Sequence, residues 1–244
     1  MPKLTFVVPA FQASADIAET LHSLLDQTVK DIEIIVVDDG STDSTARRVK
    51  YFTDKDKRVL YVRQENSGRS AARNMGNSLA QSPIIAVNDA DDPSFRERAQ
   101  ITLDYFKKHP KTDVFYAGMR VCDMYLRPAQ DFYAKPFSLD EMIKAKVSYI
   151  PHSSMAYRKE VAKEFPYEGG EVSKLGIDDW DLQIRMANAG KVFGFDAKPI
   201  FLYRQRSDST EAVRNSTEVY KNKMAIMTKL GLIKEPEAHE TARA

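Results

Sequence analysis

Cysteine is almost absent: Cys122 is the only one in 244 residues, so the chain can close no internal disulfide and offers no thiolate set for structural zinc. Nothing near it resembles the setting of a nucleophile, so it is read as a small apolar packing residue. A charge excess is missing too. Lys and Arg total 36 against 35 Asp and Glu, which argues against a partner held mainly by charge and excludes nucleic acid as the expected partner. No apolar run approaches the roughly 20 residues that span a bilayer. Met1 to Leu4 leads straight into a strand pattern without an apolar leader. The expected location is cytoplasmic, with peripheral membrane attachment left open. Internal repeats, low-complexity linkers and clear domain boundaries are also lacking. The expectation is one domain over residues 1–234, made of halves 1–92 and 93–234, with the polar stretch 235–244 as a mobile tail.

What is present is a strict alternation in the first half. Leu4 to Pro9 is a short apolar run, as a strand buried on both faces requires. Asp16 to Gln27 then sets Ile17, Leu21, Leu24 and Leu25 on one helical face, with Ser14 or Asp16 as cap. Strands are predicted at Glu33–Val37, Val59–Arg63 and Ile84–Val87, and helices at Ser44–Thr53 and Gly68–Ala80. This spacing predicts an α/β fold with a mainly parallel central sheet flanked by helices. The second half is mixed. Helices are expected at Ser94–His109, Asp140–Lys146 and Asp178–Ala189, and strands within Val114–Tyr125, Val192–Phe195 and Ile200–Tyr203.

Polar residues gather where the early strands end, the edge at which open parallel sheets bind ligands. Asp89, Asp91 and Asp92 close the fourth strand. Clustered carboxylates are costly to ionise unless a cation or hydrogen bonds offset them, so Mg²⁺ or Mn²⁺ is one reading and a solvated helix-starting turn the other. Asp38-Asp39-Gly40-Ser41 ends the second strand, where an aspartate can receive a nucleobase imide or a ribose hydroxyl; a turn with a helix cap is the ordinary alternative. Asn66-Ser67-Gly68-Arg69 and Arg73 suit a diphosphate at a helix start, although exposed arginines more often only solubilise. Asp178-Asp179-Trp180-Asp181 offers a general base beside an aromatic platform, or an acidic first turn favoured by the helix dipole.

Taken in order, VVPAFQASADIAETLHSLLDQTVKDIEIIVVDDGSTDST, ENSGRSAARNMG, NDADD and DDWDLQIRMANAG resemble family 2 glycosyltransferases from Leu4 to about Thr210. The resemblance implies a GT-A fold, with a Rossmann-like nucleotide-binding first half and an acceptor-binding second half. It also implies a nucleoside-diphosphate sugar donor, a UDP-sugar first among them, a divalent metal and inversion at the anomeric carbon. Pro9 and Phe11 match positions bordering the nucleobase, Asp39 the acid that bonds the base, and Arg73 a basic position near the donor. Asp89 and Asp91 match the ends of the family's DxD motif, with Asp91 as direct metal ligand. Asp179 matches the presumed base, and Trp180 would flank the acceptor.

This chain departs from the family pattern in three places. Phe11-Gln12 replaces Tyr-Asn, Asp178 replaces a common Glu, and Arg206 stands near a position where many members carry a metal-binding His. Arginine stays protonated and cannot ligate a metal. Arg206 is therefore read as a fixed cation for the diphosphate or as a neighbour of metal-bound water, and His152 as an acceptor-side or structural residue. The expected enzyme is a hexosyl- or N-acetylhexosaminyl-transferase of polysaccharide biosynthesis, with a glycan, lipid-linked or protein acceptor. Two rivals are a sugar-phosphate nucleotidyltransferase, whose Gly- and Arg-rich N-terminal loop is not seen at Pro9–Gln12, and a non-catalytic nucleotide-sugar-binding scaffold subunit.

Overall fold

The computed structural model describes residues 1–146, 148–206 and 217–234; the expected tail at 235–244 lies outside them. Four parallel strands, β1 (Leu4–Ala10), β2 (Ile32–Asp38), β3 (Val59–Arg63) and β4 (Ile84–Val87), form the first half of the sheet in the order β3-β2-β1-β4. Their apolar residues are buried on both faces: Phe6, Val8 and Ile34 pack on one side, Val7, Ile35 and Val37 on the other. Helices α1 (Ile17–Leu25), α2 (Thr45–Thr53) and α3 (Arg69–Leu79) connect them within one or two residues of the predicted bounds.

α3 lies very close to the sheet. A Cβ on its Gly76 would stand 2.4 Å from Val7 Cγ1, so only glycine permits this approach. One helical turn earlier, the same close packing carries Arg73 to the end of the sheet.

Beyond β4 the pattern changes. After α4 (Arg98–Lys108) come β5 (Val114–Cys122), the edge strand β6 (Pro128–Phe132) and α5 (Leu139–Ala145). The predicted helix from Ser94 begins instead at Arg98, because Ser94 is held in a bridge to Phe201. A 3₁₀ turn (His152–Ser154) leads into β7 (Ala156–Arg158), which runs antiparallel between β4 and β5. The short helices α6 (Lys159–Glu164) and α7 (Gly170–Lys174) precede α8 (Asp178–Asn188). Gly190, at φ 77°, ends α8 in a left-handed turn, as its sequence position predicts.

The two late strands predicted separately are one element, β8 (Phe193–Arg204), parallel to β5 and irregular around Gly118. Pro199 sits at that irregularity, which is why the sequence pattern looked interrupted. α9 (Thr217–Lys229) covers α8 through Met227. Among the described residues no helix is long and apolar enough to cross a membrane. Cys122 is buried, as a packing residue should be.

Candidate active site

A cleft of about 1010 Å³ opens at the carboxyl ends of β1, β2 and β4 and extends to α7, α8 and the end of β8. Pro9 and Phe11 line it, and Phe11 is 54% exposed, with its ring available for stacking. Gln12, at φ 51°, turns the chain; its Oε1 accepts the N–H groups of Thr42 (2.9 Å) and Asp43 (3.1 Å). The glutamine thus ties the loop after β1 to the loop after β2.

Asp39 is buried, and both its oxygens are engaged. Oδ1 accepts Gln64 Nε2 and Ser67 N–H, and Oδ2 accepts Gly68 N–H, each at 2.8 Å. This fixes the loop before α3. Oδ1 has both lone pairs filled, whereas Oδ2 carries a single donor and keeps one lone pair for a further one.

The acidic loop after β4 is organised by a residue the sequence reading passed over. Asn88 donates to the carbonyls of Asp89 (2.8 Å) and Asp92 (3.1 Å), while its Oδ1 receives Ser94 and Arg98. Asp92 points inward, 2% exposed, and accepts the backbone N–H of Arg204 at 3.1 Å. Burial and the neighbouring charges of Asp91 and Asp89 push its carboxyl well above the usual range. Asp89 and Asp91 line the cleft. For Asp89, burial opposes ionisation, but the Arg73 guanidinium, helped by His152 and Ser153, outweighs it and brings the pKa to about 2. For Asp91, burial and the Asp89 charge raise the pKa to about 6.

Arg73 lines the cleft, as a position near the donor requires, but its guanidinium is engaged by protein carboxylates. Its Nη2 donates to Asp89 at 2.8 Å and its Nη1 to Asp178 at 2.5 Å, so it binds the acidic loop to α8. Asp178 is itself buried, and desolvation raises its carboxyl despite Arg73. Asp179 is less buried, lines the cleft and accepts the Trp180 N–H at 2.7 Å. His152 also lines the cleft, with Nε2 3.2 Å from the Tyr167 hydroxyl.

The expected acceptor platform is corrected. Trp180 is 1% exposed and packs with Met142, Ile184 and Met227, away from the cleft. The side chains of Asp178 and Trp180 are both turned inward, whereas Asp179 between them is left toward the opening. A helix displays residues 100° apart, and the sequence pattern did not reveal which one faces the core.

Arg206 sits on the cleft wall, paired with Asp16 and 3.7 Å from Asp91 Oδ2. Its neighbour Arg204, unremarked in the sequence, is the more deeply built. It donates to Glu19 at 2.6 Å, to the Met124 carbonyl at 2.5 Å and to the Asp91 carbonyl at 3.2 Å. Arg69 and Lys174 also line the cleft and take no part in the ion pairs formed among the described residues.

Among the described residues no group of three or more His, Cys, Asp or Glu side chains could hold a metal ion. A Mg²⁺ or Mn²⁺ completed by substrate phosphates and water needs only one or two protein carboxylates. Asp91 and Asp89 fit that requirement, and the raised pKa of Asp91 marks a charge that its surroundings offset incompletely.

The sequence profile of glycosyl transferase family 2 matches residues 5–165, two-thirds of the chain. The chain belongs to this family of glycosyltransferases. Glycosyltransferase GlyG of Streptococcus pneumoniae is 28% identical over 251 residues, covering 94% of this chain and 82% of GlyG. Glycosyltransferase GlyA of the same organism is 42% identical over 90 residues, which are 37% of this chain and 13% of GlyA. The chain therefore spans only a small part of GlyA. The fold resembles residues 1–349 of S. aureus TarS crystallised with UDP-GlcNAc, with a TM-score of 0.75 and 18% identity over 98% of this chain and 69% of that one. The same TarS segment with UDP gives a TM-score of 0.72 at 19% identity, over 98% and 68%. The architecture is the GT-A fold.

Proposed function

We propose that this glycosyltransferase moves a sugar from a nucleoside-diphosphate sugar, a UDP-sugar in the first instance, to an acceptor hydroxyl with inversion. The observation that carries the proposal is one continuous cleft lined by Phe11, Asp39, Asp89, Asp91 and Asp179 together. The UDP and UDP-GlcNAc complexes of TarS support the choice of nucleotide.

In this reading Phe11 stacks on the base and Asp39 accepts from it. Arg69 and Lys174, which line the cleft and form no ion pair within 4 Å among the described residues, face the diphosphate. Asp179 takes the proton from the acceptor oxygen as that oxygen attacks the anomeric carbon, and the nucleoside diphosphate departs from the opposite face. Asp178 is the weaker candidate for base because its carboxylate is buried against Arg73. Asp91, with Asp89, would hold Mg²⁺ or Mn²⁺, which stabilises the negative charge developing on the leaving diphosphate. Arg73 fixes both the acidic loop and α8, and so sets the distance between donor and base.

The test supplies UDP-sugars, Mn²⁺ and glycan or lipid-linked acceptors, and measures nucleotide release and transfer. Transfer that is lost in Asp179→Asn while UDP still raises the melting temperature supports the assignment. UDP binding without sugar release from any donor would instead make the protein a binding subunit.

A further inference from the structure

Asp16 begins α1, where an aspartate ordinarily caps free N–H groups, yet its side chain makes no cap bond. Both its oxygens face arginines: Oδ1 lies 3.5 Å from Arg204 Nε, and Oδ2 pairs with Arg206. The other side of the Arg206 guanidinium, at Nε, lies 3.7 Å from Asp91 Oδ2. One cation is therefore shared between a helix start and the carboxylate that faces the cleft.

The two arginines differ in freedom. The Arg204 side chain is 5% exposed and spends its nitrogens on Glu19, Met124 and Asp91 carbonyl or carboxylate groups. The Arg206 side chain is 32% exposed, and its contact with Asp91 is a long ion pair rather than a hydrogen bond. Such a contact can be exchanged for another anion at small cost.

We infer that Arg206 is a built-in counter-cation that keeps Asp91 from loading a divalent metal until a nucleoside diphosphate draws the guanidinium away. Two cations beside one carboxylate repel each other, so metal alone binds against Arg206. A diphosphate gives the guanidinium a second anionic partner within the same cleft, and its own oxygens complete the metal shell. Metal and nucleotide then bind with positive coupling, and by linkage each raises the other's affinity by the same factor. This inference rests on the reading of Asp91 as the metal-holding carboxylate.

The test is Mn²⁺ binding to the full chain, followed by water-proton relaxation without donor and again with saturating UDP. Arg206→Gln should bind Mn²⁺ about tenfold more tightly than the parent without UDP, a change of ~1.4 kcal/mol. Arg206→Lys, which keeps the charge, should stay within about threefold of the parent. UDP should tighten Mn²⁺ binding by a larger factor in the parent than in Arg206→Gln. Equal or weaker Mn²⁺ binding by Arg206→Gln in the absence of UDP overturns the inference. Adding Asp91→Asn separates the two levels: Mn²⁺ binding that survives this change refutes Asp91 as the metal carboxylate, whatever Arg206 does.

Discussion

The cleft contains two bridges of the same composition, an arginine between two aspartates, in opposite settings. Arg73 joins Asp89 to Asp178 through contacts of 2.8 and 2.5 Å, with 7% of its side chain exposed. Arg206 joins Asp16 to Asp91, with 32% of its side chain exposed and 3.7 Å to the second partner. Burial decides what the shared pattern does. In the interior, losing the arginine strands the buried carboxylate of Asp178 and frees the half-buried one of Asp89, so the bridge acts as a fixed brace. At the rim, water and salt replace most of the interaction, so the bridge can open and take another anion.

The largest expected effect isolates chemistry from both bridges. Asp179→Asn should lower kcat by about 10²–10⁴, the usual worth of a general base, with an unchanged urea midpoint. Steady-state transfer assays decide it, and normal turnover would move the base elsewhere. The bridges themselves should separate on stability. Arg73→Met should cost about 3–5 kcal/mol in urea unfolding, and Arg206→Met less than about 1 kcal/mol. Equal losses would erase the distinction drawn between them. Asp39→Asn places an amide against N–H donors and should cost about 1–3 kcal/mol; it should also remove the melting-temperature rise on adding UDP.

The smallest effect concerns pH. Arg73 holds the pKa of folded Asp89 at about 2, below its unfolded value, so the contribution of Asp89 to stability is complete above about pH 4. It is lost as pH falls toward 2, and Asp89→Asn should flatten that limb in unfolding experiments across the range. Asp178, whose pKa is raised by burial, acts in the opposite sense and in a separate window, above its unfolded value rather than below it.

Much of the fold was legible because parallel strands buried on both faces leave continuous apolar runs, and β3 and β4 have the bounds their sequences predict. The second half was less so. β8 read as two strands because its pairing slips around Gly118, and α4 starts late because Ser94 is captured by β8. In the site, the order of motifs identified Asp39, Asp89, Asp91 and Asp179 as residues that share a cleft. The partners were not legible. Arg73 and Asp178 are 105 residues apart, Arg204 and Glu19 are 185 apart, and no local pattern encodes either pair. Trp180 failed for a different reason: a tryptophan beside acids suits a sugar platform and a helix core equally well.

Gly76 has a consequence of its own for mutational tolerance. The residue touches no part of the cleft, yet a single added methyl would meet Val7 on a strand that cannot yield freely. The helix would have to lift, and Arg73 would be carried off both of its carboxylates together. A map of activity against substitution should therefore show a sensitive spot beneath the sheet end, where a surface survey of the catalytic groups would not look.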